Sequence, residues 1–386
     1  MKFLIVSNED IKRGITTDKY FIWTEKVLKE KDINPMVVAE VTTSSWGIFA
    51  GLNDVLELFR GKSVDVYAMP EGTIFFPHEP VLFIVGKYLE FARYETALLG
   101  FLCHASAVAT EAFRFKLAAE DKKVFSFGTR RVHPALAAMV ERSAYIGGVD
   151  GVSNYAAEKY IGIPSMGTMP HALIICFGNQ VDAWRSFDEV VDDSVPRTML
   201  VDTYYDEKTE SILAVENVER VDAVRLDTPS SRRGKFRKII EEVKWELKIR
   251  GKKNVKIFVS GGVSLKDVFE LRDIVDAFGV GTSISGARPI DFALDIVEME
   301  GRFVAKRGKR GGMKQVYRNW DTFEDLITLY NEKRPNHMQP LLRKVIEKGR
   351  ILDETVVDMH KARSLVLKQM SLIRKLGRVE EFLDAR

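Results

Sequence analysis

The stretch KIFVSGGVSLKDVFELRDIVDAFGVGTSIS, Lys256 to Ser285, contains two short β-branched or aromatic runs that both end in small residues. The first stops at Ser260-Gly261-Gly262 and the second at Gly281-Thr282-Ser283. Between them the apolar spacing predicts a helix over Lys266 to Phe278, with Val268, Leu271, Ile274, Val275 and Phe278 on one face. Ser264 and Asp267 are placed as a capping box at its start. Strand, helix and strand in so short a span describe one crossover unit of a parallel sheet.

The same pattern repeats outward. Strand-like runs centre near Phe125, Gly148, Met166, Leu200, Val224, Phe258 and Val280, with helical patterns between most of them, notably Phe236 to Leu247. Seven such units predict an α/β fold, an irregular TIM-like barrel that is closed or nearly closed; a doubly wound sheet fits the same pattern. Upstream, Val64 to Tyr88 is β-rich and cut by Pro70, Gly72, Pro77, Pro80 and Gly86, which predicts a small, strongly turned β domain. We therefore expect an N-terminal β-rich domain with linking helices over 1–120 and a barrel over 121–290. A mixed C-terminal extension over 291–386 is expected to pack back on the N-terminal domain. In the extension, RFVAKRGKRGGMKQVYR is read as a basic hairpin with a solvated Lys306–Arg310 cluster, followed by charged helix.

Composition excludes several classes. Net charge is only +3 over 386 residues, so a nucleic-acid partner is not expected. Cys103 and Cys176 support neither a disulfide framework nor a four-cysteine zinc site, and we expect a reducing cytoplasm. The first apolar run is too short for a signal peptide, and no membrane span is expected.

The carboxyl ends of the predicted strands collect polar and small residues, and in an α/β barrel that edge carries the chemistry. Glycine lets a phosphate approach backbone N–H groups, and a neighbouring hydroxyl adds a donor. Ser260, Gly261, Gly262, Gly281 and Thr282 are thus candidate phosphate ligands, together with Thr168. Asp150, Asp202 and Asp227 can meet a ribose diol or a Mg²⁺-bound water, or simply cap the next helix. Arg130 and Arg225 suit a carboxylate or a pyrophosphate. His171 is expected directly at a strand end, unlike His78 or His337.

These residues fall in segments that resemble nicotinate phosphoribosyltransferases and, more distantly, nicotinamide phosphoribosyltransferases. TTDKYF at Thr16–Phe21, MPEGTIFFPHEPVLFIVG, SFGTRRVHP, GGVDGVSN, GIPSMGTMPHALI, LVDTY, VRLDT, VSGGVS and FGVGTSIS follow in that family's order, from about Gly14 to Val316. The resemblance implies transfer of ribose 5-phosphate from phosphoribosyl pyrophosphate to nicotinate, with ATP and Mg²⁺. It also implies a homodimer, or a higher homo-oligomer, with composite sites. Tyr20 matches a tyrosine stacking on the pyridine from the neighbouring copy, Phe127 the ring on the other face, and Arg130 the carboxylate receptor. His171 matches a phosphohistidine, Asp202 the carboxylate orienting it through its other ring nitrogen, and Arg225 and Asp227 a phosphoribosyl-binding pair. Mg²⁺ is expected through the phosphates, with Asp202 and Asp227 as candidate ligands. No cysteine follows Cys176, so the cysteine-rich zinc knuckle of some relatives is not expected. Alternative readings are a nicotinamide or quinolinate phosphoribosyltransferase, or a non-catalytic phosphosugar- or RNA-binding protein using its basic tail.

Overall fold

Six short strands run parallel in one sheet: Lys123–Ser126, Gly151–Val152, Thr198–Leu200, Ala223–Leu226, Lys256–Val259 and Ala277–Val280. In space Gly151–Val152 is one edge, followed by Lys123–Ser126, Ala277–Val280, Lys256–Val259, Ala223–Leu226 and finally Thr198–Leu200. Parallel strands in a wound α/β unit are covered on both faces and so read as continuous apolar runs. Val124, Met199, Leu200, Val224, Leu226, Val259, Phe278 and Val280 are accordingly fully buried. The helix Phe236–Ile249 buries Phe236, Ile240, Val243 and Leu247, the one-sided stripe its sequence predicts.

The computed structural model describes residues 3–383. It corrects the barrel expectation in detail. The run near Met166 forms no strand; only Ser165 bridges to Val152, so the sheet is a half-barrel. The helix expected over Lys266 to Phe278 ends at Leu271, and Ala277–Val280 is already strand. Its start is as read: the Ser264 side chain accepts from the Asp267 amide, and Asp267 accepts from the Ser264 amide. Ser264→Ala should lower stability by about 1 kcal/mol, measured as a shift of the urea midpoint with an unchanged slope.

The half-barrel lies in a unit made of Glu111–Tyr145 and Val149–Gly286. A second unit takes the chain up to Thr110, residues 146–148, and the chain from Ala287. In that unit Ala293–Met299 pairs with Met36–Thr42, and Arg343–Glu347 pairs with Val64–Ala68, all antiparallel. N-terminal and C-terminal strands therefore share one sheet. Beyond the basic stretch the tail is mixed: Glu324–Leu329 and Arg343–Glu347 are strands, the charged helix expected is present over Met359–Lys375, and charges on the strand Lys314–Asn319 are buried in pairs. Lys314 Nζ meets Glu40 at 2.8 Å, and fully buried Arg318 meets Asp325 at 2.5 Å. The basic cluster is likewise not simply solvated: Lys306 and Lys309 meet the buried Asp295 at 2.5 and 2.9 Å. The helix Glu95–Ala119 lies in a stretch long and apolar enough to cross a membrane. Its Leu98, Leu102, Val108 and Phe113 are fully buried, as in the core helix of a globular protein.

Candidate active site

Strand register decides which side chains meet. Leu200 pairs with Arg225, Leu226 with Val259, and Val259 with Phe278, so Asp202, Asp227 and Ser260 emerge together at the carboxyl edge. Asp202 Oδ2 accepts from the Asp227 amide at 2.8 Å and from the Thr228 hydroxyl at 3.2 Å. Asp202 Oδ1 is buried with no hydrogen-bond partner. Asp227 gathers three neighbours: Arg225 Nη2 at 3.3 Å, the Ser260 hydroxyl at 2.5 Å and His171 Nε2 at 3.5 Å. Arg225 also donates to the hydroxyls of Ser260 and Thr168, and its guanidinium lies 5.9 Å from the Phe127 ring. Gly279 makes room for that ring: a Cβ there would lie 2.7 Å from Phe127.

His171 heads the helix His171–Phe177, rather than ending a strand. Nε2 faces both carboxylates, with Asp202 Oδ1 at 3.8 Å, and Nδ1 lies 3.0 Å from the Thr203 hydroxyl. Asp202 was expected at the other nitrogen; the structure puts Thr203 there.

Burial pushes the Asp227 carboxyl up, but the His171 hydrogen bond and the Arg225 charge outweigh it and hold it at about 2. Burial pushes Asp202 up to about 6; the His171 charge opposes this and the Asp227 charge adds to it. The Asp227 hydrogen bond raises His171 above its ordinary value. The Asp202 shift has a stability consequence. A folded value above the usual 3.8 means that ionising Asp202 destabilises the fold, a penalty that grows from there to about pH 6. Asp202→Asn cannot ionise. It should gain stability over the wild type across that window and keep the gain at pH 8. Urea midpoints compared at pH 4 and pH 8 check this; the same difference at both values contradicts it.

Two expected phosphate ligands are corrected. Asp150 stands before its strand, at the opposite edge of the sheet, where it binds Lys116 at 2.7 Å and the Val124 amide at 2.9 Å. Ser260 is 2% exposed, and its hydroxyl is engaged by Asp227 and Arg225. The glycine turns do reach the carboxyl edge. Gly261 and Gly262 have φ of +87° and +81°, and among the described residues no protein acceptor meets the amides of Gly261, Gly262, Gly281 or Thr282. Arg130 is exposed beside this edge in the turn Thr129–Arg131. Tyr20 belongs to the other unit, on the helix Lys19–Glu30, and is 54% exposed.

Several supporting residues carry no sequence signal. Arg233, 5% exposed, donates to the carbonyls of Thr228, Ser260 and Gly261, tying the loops after two strands together. Glu207 takes the Thr228 hydroxyl at 2.5 Å. Glu210 accepts from the amides of Thr203, Tyr204 and Tyr205.

A guanidinium, paired carboxylates, a histidine and open amide turns on one sheet edge suit transfer of a phosphorylated sugar. Family models agree: those described as quinolinate phosphoribosyl transferase N-terminal and C-terminal domains match residues 18–106 and 108–295. The fold and site thus define a phosphoribosyltransferase. A nicotinate phosphoribosyltransferase of Mycobacterium tuberculosis is 31% identical over 329 residues, 80% of this chain and 69% of that protein. On that similarity the chain belongs to the nicotinate phosphoribosyltransferase family. A Pyrococcus furiosus structure described as nicotinate-nucleotide pyrophosphorylase is 51% identical, with a TM-score of 0.94 over 98% of this chain and 99% of that one. The human nicotinic acid phosphoribosyltransferase structure shares the fold at 19% identity, with a TM-score of 0.73 over 92% of this chain and 94% of that one.

Proposed function

We propose that this nicotinate phosphoribosyltransferase couples ATP hydrolysis to transfer, with His171 as the residue phosphorylated. The placement of His171 between two carboxylates and the Thr203 hydroxyl carries this reading. In the transfer itself, the nicotinate ring nitrogen bonds to the anomeric carbon of phosphoribosyl pyrophosphate as the bond to the pyrophosphate oxygen breaks. Positive charge grows on the sugar, and the ionised Asp227 faces it; Arg225 faces the leaving anion. The unpaired amides of the two glycine turns receive the 5′-phosphate. Arg130 pairs with the nicotinate carboxylate while Phe127 stacks on its ring.

Mg²⁺ fits this site only in company with substrate. Among the described residues no cluster of three or more acidic, histidine or cysteine side chains could hold a metal. The unpartnered Asp202 Oδ1 and neighbouring Asp227 do supply the one or two carboxylates that Mg²⁺ takes alongside phosphates. When bound, the ion supplies charge neutralisation on the pyrophosphate. We further propose a homodimer in which Tyr20 of a second copy completes the pyridine site. Tyr20, Trp23 and Val27 are all exposed on the helix Lys19–Glu30, at the spacing that puts them on one face.

For the histidine step, a ring nitrogen of His171 attacks the γ-phosphorus of ATP and the bond to the ADP oxygen breaks. Incubation with γ-labelled ATP tests this. Acid-labile, base-stable label is expected on the wild type and none on His171→Ala, which should keep a slower transfer that ATP does not accelerate. Equal label on both proteins rules the reading out.

A further inference from the structure

Glu210 lies outside every motif that marks the site, yet it is fully buried one turn into the helix Glu207–Asn217. A buried carboxylate needs partners, and this one finds them in backbone alone. Its Oε2 accepts from the Thr203 amide at 3.0 Å, and its Oε1 accepts from the amides of Tyr204 and Tyr205 at 2.7 and 2.9 Å. Three successive N–H groups are turned toward one anion, which fixes the turn that leaves the strand Thr198–Leu200. The Thr203 side chain is carried by that turn, and its hydroxyl lies 3.0 Å from His171 Nδ1.

We propose that Glu210 is a positioning residue for the histidine: its clamp on the turn sets the Thr203 hydroxyl, and the hydroxyl sets the His171 ring between Asp202 and Asp227. The inference rests on the reading of His171 as the phosphorylated residue. The physical case is one of rotational freedom. The ring is held at Nε2 by contacts of 3.5 and 3.8 Å, both longer than a good hydrogen bond. The Thr203 contact is the shortest one fixing its tilt. A hydroxyl also suits a ring whose proton count changes during a cycle, because it donates to a bare Nδ1 and accepts from a protonated one. A turn closed by ordinary backbone bonding would leave Thr203 free to rotate away with Tyr204 and Tyr205, which are both exposed.

Four variants of the full chain test this: Thr203→Val, Thr203→Ser, Glu210→Gln and the Thr203→Val/Glu210→Gln pair, assayed with nicotinate, phosphoribosyl pyrophosphate and ATP. Thr203→Val keeps the shape and removes the hydroxyl; it should lower kcat about tenfold or more while the KM for nicotinate stays within about twofold. Thr203→Ser restores the hydroxyl and should stay within about threefold of the wild type. Glu210→Gln should lower kcat by a factor similar to Thr203→Val, and the double variant should be no more than about twofold worse than either, because both act through one contact. Multiplying losses in the double variant overturn the proposal. So does a Thr203→Ser enzyme as slow as Thr203→Val, or a loss seen in KM alone. If Glu210→Gln fails to fold, the Val and Ser variants still decide whether the hydroxyl holds the ring. His171→Ala separates the two readings. An ATP-stimulated rate like the wild type removes the role of His171 itself, whereas a slowed His171→Ala beside an unimpaired Thr203→Val removes only the positioning role.

Discussion

Asp227→Asn should lower kcat about a thousandfold, roughly 4 kcal/mol of barrier. The amide is nearly the same shape, so the loss reports charge and hydrogen-bond polarity rather than packing. Three donors converge on the wild-type carboxylate: Arg225, the Ser260 hydroxyl and His171. An asparagine offers one accepting oxygen and turns an NH₂ toward at least one of those donors, leaving Arg225 without its countercharge in a site where it is only 11% exposed. The variant also lacks the charge proposed to stabilise a cationic sugar. The variant should be less stable than the wild type at neutral pH. Because the native carboxyl is held at about 2, below its usual 3.8, that gap should close as pH falls through this interval. Steady-state kinetics and urea midpoints at pH 7 and pH 2.5 measure both effects; a loss below about tenfold in kcat contradicts the role.

Gly261→Ala is expected to be nearly as damaging, by a different route. The residue sits at φ +87°, where a side chain is strained, and its Cβ would lie 2.4 Å from the Asp227 carbonyl oxygen and 2.7 Å from the carbonyl carbon. Backbone has nowhere flexible to go, so the strand end carrying Asp227 must shift. A shift of about an ångström at the chemistry costs on the order of a hundredfold in rate, and strain with overlap should take roughly 2–4 kcal/mol from stability. Gly262→Ala is the control. It shares the positive φ, at +81°, but a Cβ there meets nothing within 4 Å. It should cost only about 1 kcal/mol of stability. Equal stability losses at Gly261 and Gly262 would mean that close approach to Asp227 is not what the glycine serves.

The two turns were legible because glycine and small hydroxyl residues after β-branched or aromatic runs are a local signal. Asp202, Arg225 and Asp227 were legible for the same reason, standing in or beside short apolar strands whose register follows once the sheet is parallel. Asp150 was misplaced because the strand was centred near Gly148, which puts the aspartate after it; the strand is Gly151–Val152, so the aspartate precedes it and faces the other edge. Val268, Leu271, Val275 and Phe278 repeat at helical spacing, yet the last belongs to a strand, since four apolar positions cannot separate a buried helix from a helix followed by a buried strand. The strands Glu324–Leu329 and Arg343–Glu347 were read as charged helix because the partners of their charges, Arg318 for Asp325 and Asp65 for Lys344, are brought from elsewhere in the fold. Glu210 and Arg233 were invisible because their partners are backbone groups of loops that tertiary structure alone assembles.

The most direct test of the account is the nucleotide formed when the protein is given phosphoribosyl pyrophosphate, ATP and Mg²⁺ with nicotinate, nicotinamide or quinolinate in parallel. Arg130, exposed in the turn Thr129–Arg131 and proposed to meet the pyridine, suits one carboxylate. We expect nicotinate mononucleotide and pyrophosphate from nicotinate, with much slower turnover of the amide and no release of carbon dioxide from quinolinate. Preferred consumption of quinolinate with carbon dioxide release would contradict it.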